Sequence, residues 1–165
     1  MSYTQTSITN LNLKAAVNYN SSRKILQQLI KMNPQKLDKL IVDLHTKEFK
    51  KIDCLECANC CKTISPAISY SDIRRMASAL KTKVSDFIDE YLVEDKDGVY
   101  VFKKIPCPFL DEDNYCIVYN SRPKACREYP HTNRKRFYQI LDLAAHNSKV
   151  CPAVYNIVQK LKMKT

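Results

Sequence analysis

Eight cysteines in 165 residues carry most of the chemistry written into this chain. Four lie within eight residues, as Cys54-x-x-Cys57-x-x-Cys60-Cys61, and four are dispersed: Cys107, Cys116, Cys126 and Cys151. Two Cys three apart on a tight loop can aim both sulfurs at one ion, which is why the spacing recurs in zinc and iron–sulfur sites. An isolated Cys is more often an inert core residue, but four in eight residues read as a ligand set. Adjacent side chains tend to diverge, so Cys60 and Cys61 need not share an ion, and one is free to serve a second site. Of the three histidines, His131 stands nearest to Cys126 in sequence and is the best additional ligand; His45 and His146 are weaker.

Other chemistries are excluded. The chain has one glycine, Gly98. Gly-rich phosphate cradles need several glycines for close backbone approach, so neither a P-loop nor a dinucleotide fingerprint exists. His-Glu-x-x-His, Gly-x-Ser-x-Gly and EF-hand patterns are missing. Asp111, Glu112 and Asp113 read as turn-forming rather than catalytic, and whether the chain catalyses a reaction is left open.

The elements that must position the cysteines follow from periodicity. Residues 1–20, rich in Ser, Thr and Asn, suggest a flexible N-terminal arm. Residues 21–165 read as one domain, with N-terminal helices over 22–50 and a diagnostic cluster region over 54–152. Ser22 is expected to cap a first helix, and Asn33-Pro34 to open a second, with Leu37, Leu40, Ile41 and Leu44 on one face. Residues 53–66 read as a loop. Ser69-x-x-Asp72 resembles a capping box ahead of Ile73, Met76, Ala77 and Leu80. Asp97-Gly98 marks a turn before a strand at 99–102. Residues 115–119 suggest a strand of a hairpin that brings Cys107 and Cys116 together. Ser121 and Pro123 suggest a helical turn carrying Cys126. Residues 134–146 fit strand or helix. Pro152 opens a last helix, whose N-terminal partial charge favours a thiolate at Cys151. The expected fold is α+β: small, mostly helical, with a short β-hairpin, organised around a cysteine metal site. Metal is expected to be required for folding, because no large apolar core is foreseen.

These motifs resemble the YkgJ-like cysteine-cluster family, the CxxCxxCC zinc- or iron-chelating domain. Cys54-x-x-Cys57-x-x-Cys60-Cys61 matches its signature. Cys107-Pro-Phe-Leu110, Cys116-Ile-Val-Tyr119 and Arg122-Pro-x-x-Cys126-Arg127-Glu-Tyr-Pro130 are similar to the rest of its pattern. The resemblance covers roughly residues 50–155. It implies a metal-binding cysteine-cluster protein, redox-active or an enzyme module of unknown reaction. All eight cysteines are the implied ligands, in one or two sites. Zinc and an iron–sulfur cluster both suit thiolates, and the family description tilts the choice slightly to iron–sulfur.

The formal charge is +10. Eight thiolates holding two divalent ions carry a net charge of about −4, so part of the basic excess can neutralise the metal sites. The alternative reading is a zinc-stabilised nucleic-acid-binding protein, with Arg134-Lys-Arg-Phe-Tyr138 pairing cations with stacking rings. Nucleic acid is not the favoured partner; a metal ion or cluster is, with an unidentified protein as substrate or partner. No secretory leader and no apolar run of about 18 residues is seen, so the expected location is the cytoplasm, without membrane attachment. Thiols stay reduced there, which favours metal ligation over disulfides.

Overall fold

The computed structural model describes residues 5–162; Met1–Thr4 of the expected arm lie outside the described residues. In chain order the elements are α1 (Gln5–Val17), α2 (Tyr19–Gln28), α3 (Pro34–Phe49), α4 (Cys54–Cys57), α5 (Asn59–Thr63), α6 (Tyr70–Ala79), α7 (Val84–Tyr91), β1 (Leu92–Glu94), β2 (Tyr100–Phe102), α8 (Lys124–Glu128), α9 (Leu141–Val150) and α10 (Pro152–Lys162), with short 3-10 turns at Leu29–Lys31, Tyr119–Ser121 and Phe137–Ile140. The mostly helical content with one short hairpin is as expected. The chain forms two compact units: residues 1–57 with 130–165, and residues 58–129. We call them the helical unit and the mid-chain unit.

In the helical unit, α3 starts as its sequence dictates. Asn33 Oδ1 accepts from the backbone N–H of Gln35 and Lys36, each at 3.1 Å, and Pro34 takes the first helical position, where its missing N–H costs nothing. Leu37, Ile41 and Leu44 then bury against Leu26, Leu29, Phe137, Val154, Ile157 and Leu161. Glu48 is fully buried at the end of α3 and is paired with Lys160, while Asn156 donates to its other oxygen.

Two expectations for this unit need correction. Residues 5–17 are helix α1 rather than an arm; α1 packs on α9 and α10, with Ala15 buried. Its apolar residues point several ways, since Leu13 and Val17 stay exposed, so no periodic stripe announces it. Ser22 is not a cap. It lies inside α2, fully buried, and among the described residues its hydroxyl has no partner. An unsatisfied buried hydroxyl is destabilising, so Ser22→Ala should raise stability by about 1 kcal/mol. A thermal melt should show a Tm gain of about 2–4 °C; a lowered Tm would contradict the assignment.

The mid-chain unit is built on a capping box. Ser69 Oγ accepts from Asp72 N–H at 3.2 Å, and Asp72 Oδ2 accepts from Ser69 N–H at 3.1 Å. Ile73, Met76 and Ala77 of α6 join Phe87, Phe102 and Phe109 in the core. The Phe109 ring stacks parallel to Phe87 at 6.1 Å and takes Phe102 edge-on at 5.5 Å. β1 and β2 pair antiparallel, Leu92 opposite Phe102 and Glu94 opposite Tyr100, around Gly98 at φ +74°.

Here three local readings change. Residues 53–66 contain α4 and α5 instead of a loop. Residues 115–119 form no strand: one bridge joins Leu110 to Cys116, and a 3-10 turn follows at once. Asp111 exchanges bonds with Tyr115 on both its backbone N–H and its carboxylate, so the tight turn consumes the residues a longer ladder would need. Residues 134–146 resolve into a 3-10 turn and α9. Having one glycine, the chain places Ala58, Lys81, Asn114, His131 and Arg136 in the left-handed region, where non-Gly residues are uncommon.

Candidate metal centre

The cysteines divide with the units. Cys54, Cys57 and Cys151 belong to the helical unit, and Cys60, Cys61, Cys107, Cys116 and Cys126 to the mid-chain unit. The boundary falls inside the Cys-rich run, between Cys57 and Ala58. Ala58 stands there in the left-handed region at φ +46°, between α4 and α5.

In the mid-chain unit, backbone bonds gather the cysteine segments. Cys107 N–H donates to Cys61 O at 2.8 Å. Leu110 N–H returns to Cys107 O, and Tyr119 N–H to Cys116 O. Cys126 rides on α8, whose first residue is held by Asp72, since Lys124 N–H donates to Asp72 Oδ1 at 3.0 Å. Arg75 also bonds Asp72, and it donates to the carbonyls of Ser121 and Arg122. This Asp72–Arg75 clamp was not legible as such: the capping box revealed one of Asp72's tasks and hid the other, 52 residues away.

The thiols feel one another. Cys61 is lowered to about 7: a hydrogen bond from Cys60 and the cations Lys62 and Arg122 outweigh burial. Burial first, and then the negative charge of neighbouring thiolates, Cys61 and Cys116 among them, push Cys107 up to about 11 and Cys126 up to about 12. Cys116 is raised by burial and by Cys61. Four segments thus place thiols where a single thiolate repels the next. The positive charge of a bound cation would offset that repulsion, which is why a coordinating thiol is deprotonated outright. The Sγ atoms of Cys60 and Cys61 are 4.0 Å apart. These neighbours therefore do not diverge.

In the helical unit, α4 is capped by Asp53, whose carboxylate accepts from Leu55 N–H at 2.8 Å. Cys54 is exposed and Cys57 buried. Cys151 immediately precedes α10, as its Pro152 suggests. The N–H groups of Val154 and Ala153 bond its sulfur and favour the thiolate, as a helix N-terminus should. Burial nevertheless dominates and pushes Cys151 up to about 12, with the charges of Cys54 and Cys57 adding to it.

Two of the histidines are otherwise engaged. His45 Nδ1 bonds Thr132 Oγ1 at 2.7 Å and its ring stacks on Phe49, and burial lowers its pKa. His146 uses both ring nitrogens, on Tyr19 and on the Asp142 carbonyl. His131 is half-buried and belongs to the helical unit. The aromatic half of the nucleic-acid motif fails too, because Phe137 is 1% exposed and belongs to the core.

Among the described residues, no three His, Cys, Asp or Glu side chains close tightly enough to hold an ion as they stand. The donor set nonetheless suits a thiophilic metal: soft sulfur donors in number, with cations Lys62 and Arg122 bearing on their charge. Among the same residues, no helix is long and apolar enough to cross a membrane. Residues 53–151 match the CxxCxxCC family, described as "Putative zinc- or iron-chelating domain". Neither the curated proteins nor the solved structures yield a match.

Proposed function

Since the chain belongs to the CxxCxxCC family, we propose that it is a metal-binding module with two separate thiolate sites, one in each unit. The observation that carries this reading is the partition of the eight cysteines into two groups whose members act on one another electrostatically. Cys60, Cys61, Cys107, Cys116 and Cys126 supply the mid-chain site; Cys54, Cys57 and Cys151 supply the other.

Ligand spacing supports a single ion in the mid-chain site. Tetrahedral coordination at a Zn–S distance of about 2.3 Å puts sulfurs about 3.8 Å apart, close to the 4.0 Å between Cys60 and Cys61. With five thiols for four positions, one is left to exchange or to donate a hydrogen bond. Three thiols in the helical unit leave a fourth position open, the count that also suits an iron–sulfur cluster with one exposed iron. There Cys151 is oriented by the first N–H groups of α10, and Asp53 fixes the start of α4. A bound metal would supply charge neutralisation and, as iron, electron transfer.

Elemental analysis and absorbance of protein purified without oxygen test this. About two metal equivalents are expected for two mononuclear sites; iron with sulfide and a broad band near about 400 nm would identify a cluster. Cys151→Ser should lower the content of one site and leave the other. Loss of all metal in that variant would overturn the two-site reading, and metal-free wild-type protein would overturn metal binding itself.

A further inference from the structure

The positive charge is not shared between the units. Residues 1–57 and 130–165 hold 16 Lys and Arg against 6 Asp and Glu, whereas residues 58–129 hold 11 of each. The whole formal +10 therefore belongs to the helical unit.

Its densest stretch, Arg134-Lys135-Arg136, is exposed and firmly held. Phe137 anchors it in the core. Asp38 of α3 accepts from Arg136 N–H at 2.7 Å and from Phe137 N–H at 2.9 Å, which secures Arg136 in the left-handed region at φ +58°. The Asp38 carboxylate is thus committed to backbone donors. Lys39, next to Asp38, and Lys36, one turn earlier, are exposed on the same helix. None of these five cations enters an ion pair among the described residues.

We infer that these exposed cations, Arg134, Lys135 and Arg136 of the loop with Lys36 and Lys39 of the helix that holds it, bind the phosphodiester backbone of a nucleic acid. Guanidinium forks match phosphate oxygens, and a loop fixed beforehand loses little freedom on binding. The contact is to backbone and not to bases, because Phe137 is in the core and Tyr138 packs against it, leaving no ring of this segment to stack. A lipid surface is the poorer match: interfacial binding needs apolar side chains to insert, and the exposed residues 133–136 offer none.

Five phosphate contacts predict a salt slope of about −3.5 on a single strand, or roughly a hundredfold weaker binding at 200 mM than at 50 mM salt. The test is fluorescence anisotropy of the full chain with a labelled 20-nucleotide RNA and a 20-base-pair DNA duplex. We expect Arg134→Gln/Lys135→Gln/Arg136→Asn to weaken binding tenfold or more at 50 mM salt. Lys36→Gln/Lys39→Gln, which leaves the loop untouched, should weaken it about threefold or more. The charge-matched Arg74→Gln/Lys83→Gln/Lys96→Gln in the mid-chain unit should stay within twofold. Equal losses from the two triple variants, salt-independent affinity, no binding of either nucleic acid, or tighter binding to vesicles rich in phosphatidylserine would each overturn the assignment.

Discussion

Replacing Cys61 by serine is expected to release the metal of the mid-chain unit and to unfold residues 58–129 while the helical unit stays folded. Cys61 is the thiol whose charge bears on Cys107, Cys116 and Cys126, and its sulfur lies beside Cys60. It therefore touches the energetics of the whole mid-chain set. The two units also differ in what else stabilises them. Among the described residues, the helical unit buries fourteen apolar residues in one cluster, and the mid-chain unit nine. The sequence-based expectation that metal must substitute for a missing core is thus too broad: the helical unit has a core of its own. A structural zinc contributes about 10–16 kcal/mol in small domains, more than the few kcal/mol a unit of this size retains on average. Hydrogen exchange reads the outcome. Amides of α6, α7 and β2 should lose protection in Cys61→Ser, while those of α3 and α10 keep it. Undiminished protection across residues 70–102, with metal content unchanged, would refute the prediction.

The second large effect belongs to Asp72. Burial alone would raise its pKa, but hydrogen bonds from Ser69, Arg75 and Lys124 N–H outweigh it and hold the carboxyl at about 2. Asp72 is 2% exposed, so these bonds are poorly screened. A depressed carboxyl pKa stabilises the fold above the unfolded value near 4, and that contribution is lost as pH falls toward 2. The shift corresponds to about 2 kcal/mol. Asp72→Asn should remove this acid-side dependence. Asp72→Ala should cost about 3 kcal/mol, since it strands Arg75 and the N-terminus of α8. Urea melts at pH 7 and pH 3 check both. If the wild type and Asp72→Asn lose stability equally between those pH values, the clamp is not the source of acid sensitivity. Because α8 carries Cys126, metal affinity should fall in Asp72→Ala as well.

Much of this was legible locally. The Asn33-Pro34 start, the Ser69–Asp72 capping box, the Asp97-Gly98 turn and the Pro152 start each rest on bonds within a few residues, and each stands where the sequence put it. The readings that failed depended on distant partners. Helix α1 has no stripe of its own and is defined by α9 and α10. Ser22 looked like a cap because its hydroxyl suits one, yet the surrounding helices bury it. Phe137 looked available to a base and is in the core.

The sequence by itself determined the thiols and the family: eight cysteines, their spacing and the motifs around them are covalent facts that no folding alters. Only the tertiary structure decided how those thiols divide. A boundary between Cys57 and Ala58 splits a run that reads as continuous, and Cys151, ninety-four residues beyond Cys57, joins the helical unit rather than its nearer neighbour Cys126. It also decided that the whole excess of positive charge belongs to one unit. The physical reason is the same in each case. Ligand grouping and charge density depend on distance in space, and spacing along the chain reports that distance only within a turn or two of helix.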